Sequence, residues 1–140
     1  MTRGRDDVAA VVEKLVARWA AGDASGVARL FCRGFRWWAA RVPGAPWPAQ
    51  VRNHRELESF FLGYLSAFDL TRITTRGLVV EHASGVLLGR VHARVPRTGG
   101  ELVYDFALWI GVRDGLICEF RFFHDTLAIA RALDPQSRLP

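Results

Sequence analysis

Residues 85–124 read GVLLGRVHARVPRTGGELVYDFALWIGVRDGLICEFRFFH and carry the strongest structural signal in the chain. Three runs rich in apolar residues are separated by short segments that contain glycine, and these runs cover 85–95, 101–112 and 116–124. Gly99-Gly100 and Asp114-Gly115 are typical of hairpin turns, because glycine tolerates the positive φ that tight turns require. The stretch therefore predicts three consecutive antiparallel strands.

The two turns also predict which residues are neighbours across these strands. If the second turn has two residues, counting back along both strands places Asp105 beside His124. If Gly99-Gly100 is the first turn, the same count places Arg94 beside Asp105. Side chains alternate along a strand, so His92 and Arg90 would project from the same face.

That face would otherwise be an apolar and aromatic wall, formed by Val86, Leu88, Trp109, Cys118, Phe120 and Phe122. Ionisable groups that converge in an apolar wall are typical of a ligand pocket. The wall therefore predicts a binding site on the three strands.

The first half of the chain is mainly helical by its apolar periodicity. Asp6 and Asp7 can cap a first helix that stops at Gly22, and Asp23 can cap a second helix that runs through Phe31. A short strand is expected at 35–40, followed by a proline-rich loop at 42–51. Asn53 followed by Glu56 resembles a capping box and predicts a third helix.

A long strand at 70–82, with a bulge at Gly77, is expected before the three antiparallel strands. Asp125 begins a short terminal helix that ends at Asp134. Helices followed by a run of strands predict an α+β fold, in which a curved mixed or antiparallel sheet forms a cone closed by three helices.

Length and composition predict one domain, residues 1–140, with loose termini at 1–5 and 134–140. The chain is half apolar, yet it contains neither a run long enough to span a membrane nor a signal peptide, so a cytoplasmic location is expected. Cys32 and Cys118 are interpreted as small core residues, because one possible bridge without a secretion signal is unusual.

The formal charge of +5 is the excess of 19 basic over 14 acidic residues, and Lys14 is the only lysine. The arginines are dispersed and accompany no nucleic-acid-binding motif, so we expect no nucleic-acid partner. No nucleophile motif, phosphate-binding glycine loop or metal-type spacing occurs in the sequence. We therefore expect neither a cofactor nor a metal.

This element order, with Gly22-Asp23 after the first helix, Asp114-Gly115 before the last strand and the ending EFRFFHD at 119–125, resembles the SnoaL-like and ketosteroid-isomerase-like branch of the NTF2-like superfamily. The resemblance covers about residues 6 to 133. It implies a deep cone for a small hydrophobic ligand and a homodimer through the outer face of the sheet.

Known members of that branch include polyketide cyclases, ketosteroid isomerases, limonene-epoxide hydrolases and scytalone dehydratases. The hydrolases carry Arg-x-Asp on a middle strand and a catalytic Asp on the last strand. Here His92 follows Arg90 in place of the first Asp, and Phe122 replaces the second, so epoxide hydrolysis is not favoured. Cyclase-like members use an Asp on the last strand, for which Asp125 is the nearest residue, unless it is only a helix cap.

The candidate catalytic unit is Asp105 with His124, because a carboxylate orients an imidazole and raises its basicity. His92 would be a second proton-transfer group, and Arg90 or Arg94 would stabilise developing negative charge. The alternative is a charge-paired polar patch at the cavity mouth or the sheet edge, in which Arg94 only neutralises Asp105. His92 has its own alternative, which is a structural residue of the strand.

Large aromatic side chains would line the cavity or simply form the core, namely Trp19, Trp38, Tyr64, Trp109, Phe120 and Phe122. Trp47, in the proline-rich loop, could act as a lid. Together these residues predict a deep apolar pocket for a small cyclic hydrophobic molecule, with cofactor-free acid/base catalysis of isomerase, cyclase or dehydratase type. The alternative is a non-catalytic small-molecule-binding or dimerisation module.

Overall fold

The computed structural model describes residues 2–134, which form four helices and five strands. The elements in chain order are α1 Thr2–Ala20, α2 Ala24–Ala28, β1 Phe31–Ala39, α3 His54–Ser66, β2 Asp69–Glu81, β3 Ser84–Val95, β4 Gly100–Arg113, β5 Leu116–His124 and α4 Thr126–Leu133. The strands form one curled, open sheet in the order β1-β5-β4-β3-β2. β1 is parallel to β5 and the other neighbours are antiparallel, so the predicted mixed α+β fold is confirmed.

Local signals placed most helix ends correctly. The side chains of Asp23, Asn53 and Asp125 each accept a hydrogen bond from a backbone N–H in the first turn of the helix that follows. These caps satisfy donors that the helix itself cannot pair. Asp125 is thus a helix cap in this fold.

The start of α1 differs from the prediction. The helix begins at Thr2, so Asp6 and Asp7 lie within it and do not cap it. The helix extends through residues 2–5, and the loose start expected there stays a prediction. Met1 and residues 135–140, for which loose ends were also expected, lie outside the described residues.

β1 begins four residues before the predicted strand. Phe31, expected at the end of a helix, pairs with Ile117 of β5 and is 3 % exposed. The core contact overrides the helical pattern, because burying a phenylalanine ring outweighs small differences in backbone propensity. Gly34 then adopts a positive φ of 72°, where β1 bulges away from β5.

The β4–β5 hairpin contains a bulge that the sequence pattern did not reveal. Its turn is as predicted, with positive φ at Asp114 and Gly115. Val112 pairs with Ile117, but Gly111 pairs with Glu119, so Cys118 is an extra residue. One added residue turns every later side chain to the opposite face.

The predicted neighbours Asp105 and His124 are consequently wrong. His124 pairs with Phe106, and Asp105 projects from the opposite face of the sheet.

The turn between β3 and β4 is longer than predicted. Val95 pairs with Gly100, which leaves four residues in the turn, and Asp105 pairs with Arg90 instead of Arg94. Pro96 has no N–H to donate, so the two-residue hairpin cannot extend through it. The register differs from the prediction by an even number of residues, so Arg90 and Asp105 still share a face.

The core lies between the inner face of the sheet and the helices. α1 contributes an apolar stripe of Val8, Val11, Val12, Leu15 and Trp19. α3 contributes the buried residues Leu57, Phe60, Phe61 and Tyr64. This packing makes the inner face a closed environment and leaves the other face of β3, β4 and β5 outside.

Cys32 and Cys118 form a disulfide with a Cα–Cα separation of 5.2 Å, so the expectation of two unlinked core cysteines is wrong. Residues 32–35 of β1 lie opposite the extra residue Cys118 of β5. The two irregular segments thus bring together cysteines that are 86 residues apart.

Candidate functional site

Three polar side chains meet on the inner face of the sheet. Tyr64 comes from α3, Tyr104 from β4 and His124 from the end of β5. The Tyr64 hydroxyl lies 2.7 Å from the Tyr104 hydroxyl and 3.1 Å from Nδ1 of His124. Nε2 of His124 lies 2.8 Å from the carbonyl oxygen of Ala40, just after β1. We call Tyr104, Tyr64 and His124 the inner polar chain.

The direction of these hydrogen bonds follows from the chemistry of the groups. The Ala40 carbonyl can only accept, so Nε2 of His124 carries the proton and donates it. In the neutral ring Nδ1 is then an acceptor, and Tyr64 donates to it. Tyr64 has no second proton, so Tyr104 donates to the Tyr64 oxygen. The chain thus ends in a basic ring nitrogen.

Burial strengthens this assignment. Tyr64 is 1 % exposed and Tyr104 is 2 % exposed. Burial raises the pKa of Tyr64 well above its ordinary value, and the neighbouring Tyr104 raises it further. Burial also raises the pKa of Tyr104, although its bond to Tyr64 opposes the change. Both phenols are therefore neutral donors at neutral pH.

His124 is held as a neutral base. Burial lowers its pKa, while the bond to Ala40 and the charge of Asp125 partly oppose the shift. The ring stacks on Phe122 with centroids 4.3 Å apart and planes 18° apart. The aromatic contact and two hydrogen bonds fix the ring orientation, as acid/base catalysis requires.

The proline-rich loop covers the inner polar chain. Trp47 is 8 % exposed and its ring centroid lies 4.6 Å from that of Tyr64. The same indole lines a cavity of about 100 Å³, whose other walls are the end of β1, the loop and Phe60 of α3. Trp47 and Phe60 both line this cavity and both pack against the Tyr64 ring.

The interior itself contains little free space. A cavity of about 20 Å³ lies among Leu15, Val16, Trp19, Ile73, Leu87, Val91, Phe106, Leu108 and Phe122. That volume accommodates about one water molecule, whereas pockets for drug-sized ligands measure about 300–1,000 Å³. A ligand of the expected size would require side chains to move.

Five residues of the predicted site point into the interior between the sheet and the helices, namely Trp19, Tyr64, Phe120, Phe122 and His124. Trp19 contacts Tyr64 and Phe122 edge to face, at centroid distances of 5.5 Å for both pairs. Phe120 stacks on Trp37 at 4.7 Å. These residues form a continuous aromatic interior, in which a side chain that lines the cavity is also part of the core.

The outer face holds the other predicted site residues, which are Arg90, His92, Arg94, Asp105, Trp109 and Trp38. Nε of Arg90 donates to Asp105 at 2.7 Å, and the Asp105 side chain is 68 % exposed. The Arg90 guanidinium lowers the pKa of Asp105. His92 lies 3.2 Å from Arg72. Their predicted place in the pocket wall beside His124 is wrong, because the Cys118 bulge reverses β5.

Tyr104 is the residue of this site that sequence reasoning missed. The incorrect register turned it outward, although Phe106 and Leu108 follow it at the spacing of one strand face. Placing the even-numbered residues of β4 inside would have identified Tyr104, since those residues are the more apolar set.

Residues 2–134 contain no group of three or more His, Cys, Asp or Glu side chains arranged to hold a metal ion. None of the helices within this part of the chain has the length and apolar character needed to cross a bilayer.

Solved structures from several bacteria share this fold. A candidate isomerase from Bacillus subtilis is 15 % identical, with 95 % of this chain and 96 % of that chain covered and a TM-score of 0.84. An NTF2-like protein from Burkholderia thailandensis is 23 % identical, with 89 % and 95 % covered and a TM-score of 0.73. A candidate SnoaL-like polyketide cyclase from Jannaschia sp. CCS1 is 20 % identical, with 96 % and 94 % covered and a TM-score of 0.76. At these identities the likeness establishes the fold.

No curated protein matches the sequence. Residues 12–120 match the SnoaL-like domain, a span that contains α2, α3, β1 to β4, the second part of α1 and the first part of β5. The chain therefore belongs to the SnoaL-like domain family.

Proposed function

We propose that this protein binds a small cyclic hydrophobic molecule on the inner face of its sheet and moves a proton on it without a cofactor. The observation that carries the proposal is the inner polar chain, buried in an interior that is otherwise lined by apolar and aromatic side chains. Buried polar groups cost desolvation free energy, and apolar residues of similar size would pack here at lower cost. Their arrangement suits acid/base chemistry.

In the proposed reaction, a ligand oxygen inserts between the Tyr64 hydroxyl and Nδ1 of His124. Tyr64 then donates its hydrogen bond to that oxygen, supported by the bond from Tyr104. Nδ1 is left free to remove a proton from a neighbouring carbon and to return it at another. This proton balance corresponds to an isomerisation, and the same base would serve a cyclisation or a dehydration.

The loop over the site supplies the proposed entrance. Trp47 lines the cavity of about 100 Å³ and packs against Tyr64, so its displacement would open that cavity toward the inner polar chain. A lid that opens for the ligand and closes over it also excludes water from the proton transfer. Trp47 thus has the proposed role of a gate.

A thermal-shift screen against polycyclic aromatics, steroids, terpenes and hydroxy-ketones tests binding. A ligand at 100 times its Kd adds about 2.7 kcal/mol to the free energy of unfolding, which moves the midpoint by several degrees. Trp47→Leu should change the ligand profile, whereas the control Leu127→Ala, at an exposed position of α4, should not. Identical profiles for all three proteins would contradict the proposed entrance.

Turnover distinguishes an enzyme from the alternative, a binding module. With any ligand that shifts the midpoint, His124→Gln should abolish turnover and retain the shift, because it removes the base but little apolar contact. A ligand that binds the wild-type protein without turnover would favour the non-catalytic module.

We also propose a homodimer through the outer face of the sheet. Large apolar side chains are exposed there, including Trp38 at 41 %, Leu88 at 43 % and Phe123 at 43 %. Arg121 covers the Trp38 ring at 5.3 Å and the Phe123 ring at 6.0 Å. A patch of this kind is typical of a protein interface, with aromatic residues and arginine as the main anchors.

Sedimentation equilibrium tests this interface. Leu88→Glu should convert the dimer to a monomer, whereas Leu62→Glu, on an exposed position of α3, should not change the oligomeric state. A wild-type protein that remains monomeric at high concentration would contradict the proposal.

A further inference from the structure

A groove of about 280 Å³ lies at the end of the sheet where β3 begins and β4 ends. It is separate from the inner polar chain, because its walls come from residues 34 and 36 of β1, the start of β3, the end of β4 and residues 118–119 of β5. Arg36, Arg113, Glu119 and Cys118 are among the residues that line it. The disulfide therefore borders an open groove.

The two cysteines have different surroundings. Both are partly buried, and Cys32 packs against the hydrophobic core. Cys118 is the extra residue of the β5 bulge and lines the groove. A thiol that enters the groove would therefore meet the Cys118 sulfur, and Cys32 would be the leaving group.

The charges in the groove select the kind of thiol. Arg36 and Arg113 contribute two positive charges and Glu119 contributes one negative charge, so the groove carries a net positive charge. A positive cleft attracts anions and raises their local concentration. Guanidinium groups near a sulfur also stabilise a thiolate, the reactive form in exchange.

We propose that the Cys32–Cys118 disulfide is a site of thiol–disulfide exchange with a small anionic thiol. The thiolate attacks Sγ of Cys118, the bond between Cys118 and Cys32 breaks, and Cys32 leaves as a thiolate that takes a proton from water. A second thiolate then attacks the sulfur of the bound thiol and releases the Cys118 thiolate. Two thiols are oxidised to one disulfide, and the cysteine pair is reduced by two electrons.

The first test compares three thiols on the purified, oxidised wild-type protein. Glutathione supplies the anionic thiol, 2-mercaptoethanol the neutral one and cysteamine the cationic one, each at equal thiolate concentration. Intact-mass spectrometry after acid quenching follows the mixed disulfide, and peptide mapping locates it. We expect glutathione to react at least about threefold faster than cysteamine and to form its adduct on Cys118. The difference in rate should shrink in high salt, because salt screens the charges of the groove.

Substitutions then assign the preference to the groove. Arg36→Ala or Arg113→Ala should reduce the preference for glutathione, and Glu119→Gln should increase it. Arg97→Ala is the matched control, because Arg97 is exposed in the turn that follows β3, at the end of that strand away from the groove. It should leave the preference unchanged.

Three results would each overturn the proposal. The first is that both cysteines remain open to alkylation in the native protein after treatment with an oxidant. The second is equal reaction rates for the anionic and cationic thiols. The third is an adduct on Cys32. Because the wild-type protein alone decides all three, a variant that fails to fold does not affect the conclusion.

Discussion

The two faces of the sheet place the same kinds of residue in opposite environments. His124, on the inner face, is fixed by two hydrogen bonds and an aromatic stack, and burial lowers its pKa. His92, on the outer face, contacts Arg72 beside solvent. Phe120 is fully buried, whereas Phe123, three residues later on the same strand, is 43 % exposed. The face of a strand, more than residue type, therefore decides what a side chain can do.

Replacing a phenylalanine on each face gives the largest expected contrast. Phe120→Ala should lower the free energy of unfolding by about 3–5 kcal/mol, because it leaves a cavity in the aromatic core. Phe123→Ala should lower it by about 1 kcal/mol or less. Urea unfolding measures both values. Equal losses would contradict the assignment of faces, and a loss for Phe123→Ala that grows with protein concentration would sharpen it by revealing the dimer.

The inner polar chain should show a graded response. Tyr64→Phe leaves both Nδ1 of His124 and the Tyr104 hydroxyl without their partner, so it should cost about 1–3 kcal/mol of unfolding free energy. Tyr104→Phe leaves only one lone pair of the Tyr64 oxygen without a donor, so it should cost less unfolding free energy. Urea midpoints of the two variants measure the order. A smaller loss for Tyr64→Phe would contradict the central position of Tyr64 in the inner polar chain.

The pH dependence of stability should depend on the inner histidine. His124 has a lowered pKa in the folded state, so the unfolded chain binds the proton more readily. Its contribution to stability is present above the unfolded pKa of about 6.5 and is lost as the pH falls toward the folded pKa, by at most about 1.4 kcal/mol per pH unit. Chemical unfolding at pH 5 to 8 measures this slope.

A histidine variant sharpens that measurement. His124→Gln should flatten the slope below pH 6.5, because the titrating group is gone. A slope that persists unchanged in His124→Gln would contradict the assignment of the pH dependence to the inner face.

The smallest effect is expected for the outer ion pair. Asp105→Asn removes the charge that Arg90 contacts, but both groups are solvated and an exposed pair contributes little. The urea midpoint should be unchanged within error, and so should turnover of any substrate that the screen identifies. Loss of turnover with an unchanged fold would restore Asp105 as a catalytic candidate.

Local chemistry made much of the fold predictable. Asp23, Asn53 and Asp125 cap helices because a side-chain oxygen and a nearby N–H need no distant partner. Asp114-Gly115 forms its hairpin turn for the same reason. These signals, in their order, were sufficient for the α+β architecture and the family resemblance.

The site was only partly predictable. His124, Tyr64 and Trp47 lie together, but Asp105 does not join them. The cause is the bulge at Cys118, which has no local signature, since cysteine between isoleucine and glutamate fits a regular strand. Its physical basis lies in β1, whose own irregular segment and Cys32 face Cys118.

The amino-acid sequence alone was enough to predict that the helices exist, that β3, β4 and β5 are consecutive antiparallel strands, the turn at Asp114-Gly115 and the presence of an aromatic core, because each depends on periodicity or on contacts within a few residues. Packing between distant segments settled the rest: which face of β4 and β5 is buried, that Tyr104 joins His124, and that Cys32 meets Cys118. A shift of one residue reverses a strand, and only its neighbours in the folded sheet select the register.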